Sequence, residues 1–240
     1  MAAKYWLVVC AWTALISNAP LSPARAAEAA NVAVDFSGFP GGSILSWLGG
    51  KGFVPKQDAG NARRVIYSAT ARELALETRS RAFGLLLNEM DVRDASRVQI
   101  EWGVNAFPPG ASYERGIRAE AIMLYIFFGK ERHASGSLFI PDSPYFLALY
   151  LCESEALNTP FRGRYHHASG RFICVDRPQP GAAVVTDFPL ADTFKHVFGQ
   201  AEVPDISGIG LAIDTANVSG SGIAKSFIRK IRFSPSEERR

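Results

Sequence analysis

The chain has 240 residues with 26 Lys and Arg against 23 Asp and Glu, three Cys and four His. That length can bury a core without a dense set of covalent staples, so a disulfide-rich miniature scaffold is excluded. The near balance of charge excludes the concentrated positive field by which proteins capture nucleic acid.

Lys4 precedes an apolar run over residues 5–16 that is too short to span a bilayer, and Ala24 and Ala26 place small residues at the minus-three and minus-one positions of a cleavage site. Residues 1–26 therefore read as an export signal and residues 27–240 as a single domain, periplasmic or secreted, with no membrane span after cleavage. Cys10 follows Leu7, Val8 and Val9 inside the apolar run and lacks the small neighbours of a lipidation site. Loss of Lys4 and Arg25 leaves 24 basic residues against 23 acids. The pairs Arg63-Arg64 and Arg239-Arg240 then read as solvated ends, and no nucleic-acid partner is expected.

Along the remaining chain, period-two patterning dominates. Short strands are expected at 64–68, 73–77 and 82–87. In 97–104, Val98, Ile100, Trp102 and Val104 share one face while Gln99 and Glu101 take the other, the signature of a half-buried strand. Residues 121–128 are apolar on both faces, which suits a central strand. Strands follow at 146–152, 172–176 and 183–188. Asp192 is expected to cap one short helix carrying Phe194, Val197 and Phe198 and stopped by Gly199. Strands at 208–214 and 223–233 close the chain. Many strands at short spacing, with turns at Pro108-Pro109-Gly110 and Gly220-Ser221-Gly222, favour an all-β antiparallel sandwich over alternating βαβ units.

Cys152 and Cys174 remain after processing, each in a strand-like run. Pairing of those strands would bring the sulfurs together as a disulfide, the alternative being two buried thiols. Neither belongs to a Cys-x-x-Cys motif, so no metal or cofactor is assigned to them.

The candidate ligand-binding residues are Asp214, Thr215, Asn217 and Ser219, beyond a strand end, where a carboxylate, a hydroxyl and an amide can converge on a sugar or a cation. The competing reading is a turn, because Asp and Asn side chains bond their own backbone. Glu101 joins the set as the polar face of its strand, whereas Trp102, despite an indole suited to sugar stacking, alternates with core residues and reads as core. Glu101 and Glu120 are carboxylates that a glycosidase would need, but their spacing in sequence says nothing of their separation in space. His166 and His167 are adjacent, so on a strand they would face opposite ways and would not share a metal ion. No nucleophile elbow, zinc-protease helix or phosphate loop occurs.

Residues 205–233, DISGIGLAIDTANVSGSGIAKSFIRKIRF, resemble the C-terminal signature of the bacterial domain of unknown function 3047 family. Asp35 to Pro40 with Trp47 is similar to that family's opening, Val98 to Val104 to its Trp-containing strand, Tyr125 to Phe128 to a Tyr-Val-x-Phe strand, and Thr193 to Gly199 to a helix ending Phe-Gly. The resemblance implies a jelly-roll sandwich shaped like carbohydrate-binding modules. Arg118, Ala119 and Met123 stand where the family carries an Asp-Asp pair and an Arg, and Ala216 and Lys230 replace two further acids. Those exchanges remove hard oxygen ligands, so no calcium site is expected. The expected function is an exported, non-catalytic β-sandwich that binds a ligand, a glycan being the favoured class. A structural or protein-interaction component of the envelope and an uncharacterised hydrolase are the alternatives.

Overall fold

Apolar residues at alternate positions force extended segments to bury one face each, and two such sheets stacked face to face enclose the core. The computed structural model describes residues 32–235; the expected export signal lies outside them. In chain order the elements are β1 (Val32–Asp35), α1 (Ile44–Gly50), β2 (Phe53–Gln57), β3 (Val65–Ala69), β4 (Leu74–Thr78), β5 (Phe83–Val92), β6 (Arg97–Ala106) and β7 (Glu120–His133). There follow β8 (Ser143–Leu151), β9 (Pro160–Phe161), β10 (Gly170–Asp176), β11 (Ala183–Pro189), α2 (Leu190–Phe198), β12 (Ile206–Asp214) and β13 (Lys225–Ser234).

One sheet runs β11-β6-β13-β4-β3, with β1 also paired to β13; the other runs β2-β5-β12-β7-β8-β10-β9. The protein is an all-β sandwich, as its patterning implies. Every pairing is antiparallel except β8 with β10, which is parallel. The inner faces meet through Leu74, Leu76, Val98, Ile100, Trp102, Ile228 and Ile231 on one side. Leu86, Ile122, Leu124, Ile126, Leu147, Leu149, Ile209 and Leu211 supply the other. Trp102 is fully buried and its indole N–H donates to Thr186 Oγ1 at 2.9 Å, so the core reading of this residue holds. Ser226 Oγ crosses between the sheets to donate to Ala121 O at 2.6 Å.

Two helices stand among the described residues where the sequence pattern suggests one. α1 has only seven residues, too few to show a helical period, and is fixed by Ser43 Oγ accepting from Ser46 N and by Leu48 entering the core. The turn after it places Gly52 at φ +90°, hard against Asn88, whose Nδ2 donates to Lys51 O at 2.9 Å. α2 begins earlier than an Asp192 cap implies. Pro189 is its N-cap, without a side-chain bond, and Asp192 sits in the first turn, where a carboxylate still favours the helix dipole. Gly199 ends α2 in the left-handed conformation, as expected. Phe194 anchors this helix over one end of the sandwich, with ring centroids 4.7 Å from Phe128 and 5.6 Å from Tyr145.

Candidate site on the outer face of the seven-stranded sheet

Strand alternation that fills the core with one set of side chains turns a second set outward, and on the seven-stranded sheet that second set is apolar. Leu87, Gly210, Tyr125, Ala148, Phe172 and Phe161 lie in one row across six strands. Beside it runs a row of Leu85, Ala212, Met123, Tyr150 and Cys174. Phe83, Leu85, Tyr125, Phe127, Phe161 and Phe172 are half-buried and pack on a second apolar cluster, separate from the central core. Tyr125 and Phe127 stack with planes 8° apart, and Phe146 stands edge-on to Phe127 and Phe172. Gly210 has no side chain, so Leu85, Leu87 and Tyr125 close over it.

The expected bridge is formed on this face. Cys152 and Cys174 are joined, with Cα atoms 5.7 Å apart, at the ends of the parallel strands β8 and β10. It ties down the segment that follows Cys152, including Glu155. Tyr113, in the loop before β7, folds back over the face and packs 4.6 Å from Tyr150 and 5.2 Å from Phe172.

At one end of the aromatic face the register sets Asp214 of β12 directly opposite Glu120 of β7. Directly opposed residues on one face hold their Cβ atoms about 4.5–5.5 Å apart. Glu120 is buried, and Tyr113 Oη donates to its Oε2 at 2.9 Å. Burial, reinforced by the charge of Asp214, holds the Glu120 carboxyl well above the usual carboxylate range, the Tyr113 bond offsetting only part of this. Asp214 keeps contact with solvent, but its enclosure pushes it up to about 6 against the bond its Oδ1 accepts from Ala216 N at 2.7 Å. Burial also drives the Tyr125 phenol upward, with the charges of Glu120 and Asp214 adding to the effect. A third acid, Glu155, is buried between two donors, Tyr113 N and Tyr150 Oη. A cavity of about 10 Å³, the size of one water, touches Glu120, Tyr150 and Glu155. A carboxyl whose proton affinity is raised by burial thus faces a second that is pushed up to about 6, an arrangement that acid–base chemistry can use.

The residues singled out from sequence end in different surroundings. Asp214 joins the face. Thr215 is fully buried, accepts from Ala82 N at 3.1 Å and donates to Ser80 O at 3.2 Å, tying the end of β12 to the β4–β5 turn. Asn217 is exposed and its Nδ2 donates to Arg118 O at 3.1 Å, while Ser219 is an exposed loop residue. Glu101 lies on the other sheet, paired with Arg229 at 3.0 Å, so it shares neither a face nor a site with Glu120 or Asp214. His166 and His167 fall in a turn, with His166 at φ +57° and its Nδ1 3.0 Å from Ser143 Oγ. Among the described residues no group of three His, Cys, Asp or Glu side chains is placed to hold a metal ion. Glu155 and Tyr113 carry no sequence signal, since both come from irregular segments.

No protein-family model matches the chain, and no curated protein matches it. Among solved structures, the Trichoderma harzianum endoglucanase 3 from family GH12 is 9% identical over 88% of this chain and 100% of its own, with a TM-score of 0.41. The lectin from Bauhinia forficata in complex with GalNAc is 11% identical over 87% of this chain and 100% of its own, at a TM-score of 0.40. An agarase, AgWH50C, is 10% identical at a TM-score of 0.35, and the match covers 86% of this chain but 25% of the agarase. Likenesses this distant carry no argument about the chemistry of this chain.

Proposed function

We propose that the protein binds a glycan across the outer face of the seven-stranded sheet. The observation that carries this reading is the plate formed by Tyr125, Phe127, Phe161 and Phe172, half-buried rings on rigid strands that end against Glu120 and Asp214. Apolar faces of sugar rings pack on aromatic rings, and carboxylates beside them accept hydroxyl hydrogen bonds. The disulfide supports an oxidising compartment, in keeping with an export signal at residues 1–26. Kinship with the domain of unknown function 3047 family is proposed on the same footing, carried by the 205–233 segment.

The test is a glycan-array screen followed by calorimetry on the best ligand. Tyr125→Ala and Phe172→Ala should each weaken binding about tenfold, while Arg229→Ala on the opposite sheet leaves it unchanged. Equal loss with Arg229→Ala, or no ligand across the array, removes the reading.

A second reading, glycoside hydrolysis, is favoured by one observation: Glu120 opposes Asp214 and also borders a water-sized cavity. Glu120, whose burial favours the protonated form, would donate to the leaving oxygen, and Asp214 would act as the base or nucleophile. Release of reducing ends from the bound glycan, abolished by Glu120→Gln with binding retained, distinguishes it from binding alone.

A further inference from the structure

The loop joining β7 to β8, residues 134–142, is held in one shape yet turns bulky apolar side chains to water. Ser135 is buried, and its Oγ donates to Ile140 O at 2.6 Å and accepts from Ser137 N at 3.2 Å. Its backbone N–H donates to Asp142 Oδ1 at 2.9 Å, and Ser137 Oγ accepts from Phe139 N at 3.2 Å. Arg132 closes the stem by donating to Asp142 O at 2.8 Å. On this braced loop Leu138 is 99% exposed and Phe139 is 93% exposed, side by side at the tip. Scattered exposed apolar residues are ordinary, but two large neighbours on a braced tip mark a contact surface.

The charge around the tip identifies what it contacts. His166 N donates to Ser135 O at 2.9 Å, which docks the 161–171 segment against the loop. That segment contains Arg162, Arg164 and Arg171, with His166 and His167, and no acid. Arg162 and Arg164 are exposed, while Arg171 is turned inward over Phe198. On the β7 stem the exposed acid Glu131 is flanked by Lys130 and Arg132, and Asp205 lies at the root of the hairpin, where Gly129 N donates to Asp205 O at 2.8 Å. Asp142 is occupied in bracing the loop. An apolar tip with a basic collar is the composition that partitions into an anionic lipid surface, the tip entering the acyl boundary and the collar meeting headgroup charge.

We infer that the β7–β8 loop is a lipid-contact element, with Leu138 and Phe139 inserting into an anionic membrane surface and Arg162 and Arg164 meeting its headgroups. The contact is peripheral and reversible. It is independent of the glycan reading, because neither Leu138 nor Phe139 belongs to the aromatic face.

The full chain is sedimented with phosphatidylcholine vesicles and with vesicles containing phosphatidylglycerol, beside the double variant Leu138→Ser with Phe139→Ser and the double variant Arg162→Gln with Arg164→Gln. All carry the same N-terminal residues, so differences report the loop and its collar. Partitioning onto the anionic vesicles should fall at least tenfold in the apolar double variant. It should fall roughly fivefold per arginine in the other, with a weaker dependence on salt. In a Phe139→Trp variant, anionic vesicles should shift the added emission to the blue, and brominated lipid should quench it. Equal partitioning of wild type and the apolar variant, or an added tryptophan indifferent to vesicles, overturns the inference. Self-association that vanishes in the apolar variant without any lipid effect overturns it in favour of a second copy of this chain.

Discussion

The two sheets present opposite outer surfaces although their inner surfaces are alike. On the six-stranded sheet, Arg229 pairs with Glu73 at 2.9 Å and Glu101 at 3.0 Å, Lys225 pairs with Glu77 at 3.3 Å, and Arg97 pairs with Asp187 at 2.9 Å. That is a solvated ladder of charge. On the seven-stranded sheet the same alternation yields leucine, phenylalanine and tyrosine, a disulfide and enclosed carboxyls. A surface of the first kind keeps a sheet soluble and contributes little to stability, whereas one of the second kind costs exposed apolar area unless something covers it. The proposed glycan binding rests on this difference.

Four measurements sharpen or break that contrast, beginning with the largest effect. Phe146→Ala removes a ring packed against Tyr125, Phe127 and Phe172 and should cost about 3–4 kcal/mol in denaturant unfolding. A cost below about 1 kcal/mol would mean that the aromatic cluster is loosely packed. Replacing Cys152 and Cys174 by Ala opens a crosslink spanning 22 positions and should cost about 3 kcal/mol. Thiol labelling of the denatured, unreduced wild type should find neither cysteine free.

The third measurement uses pH. Asp214 is pushed up to about 6 from 3.8, so between those values the folded chain binds more protons than the unfolded chain. Its contribution is therefore greatest below the unfolded value and is lost as pH rises through the folded value. Asp214→Asn keeps an oxygen for Ala216 N and removes the charge, so it should stabilise the protein by about 1–2 kcal/mol at pH 7 and by almost nothing at pH 4. A variant destabilised equally at both pH values would show that Asp214 matters only as a turn former. The smallest effect belongs to the charged sheet. Arg229→Ala should cost less than about 1 kcal/mol, and still less in high salt, because its two carboxylate partners remain solvated.

The candidate site was legible only in fragments. Asp214 stood out because a carboxylate beyond a glycine-rich strand is conspicuous, and its turn chemistry with Ala216 N is local. Glu120 was visible only as an acid before an apolar run, named beside Glu101 as carboxylates that a glycosidase would need, with nothing in the spacing to test the pair. The fold puts those two on different sheets and sets Glu120 against Asp214 instead. Tyr113 and Glu155 reach the site through loops, whose paths depend on the bridge and on packing over the face. Thr215 shows the same limit in reverse, since a hydroxyl that reads as a ligand is consumed by Ala82 and Ser80.

Period-two patterning, by itself, determined the β-sandwich class, the burial of Trp102 and the strand near each cysteine, and a single glycine determined the stop at Gly199. These depend on relations between near neighbours, and side-chain alternation or a left-handed glycine is written into a few consecutive residues. Tertiary structure alone decided that α1 forms, that β8 and β10 run parallel, and that Glu120 faces Asp214. Each of those rests on partners brought together from distant parts of the chain, where register and burial fix the neighbour and set the proton affinity of the carboxyls.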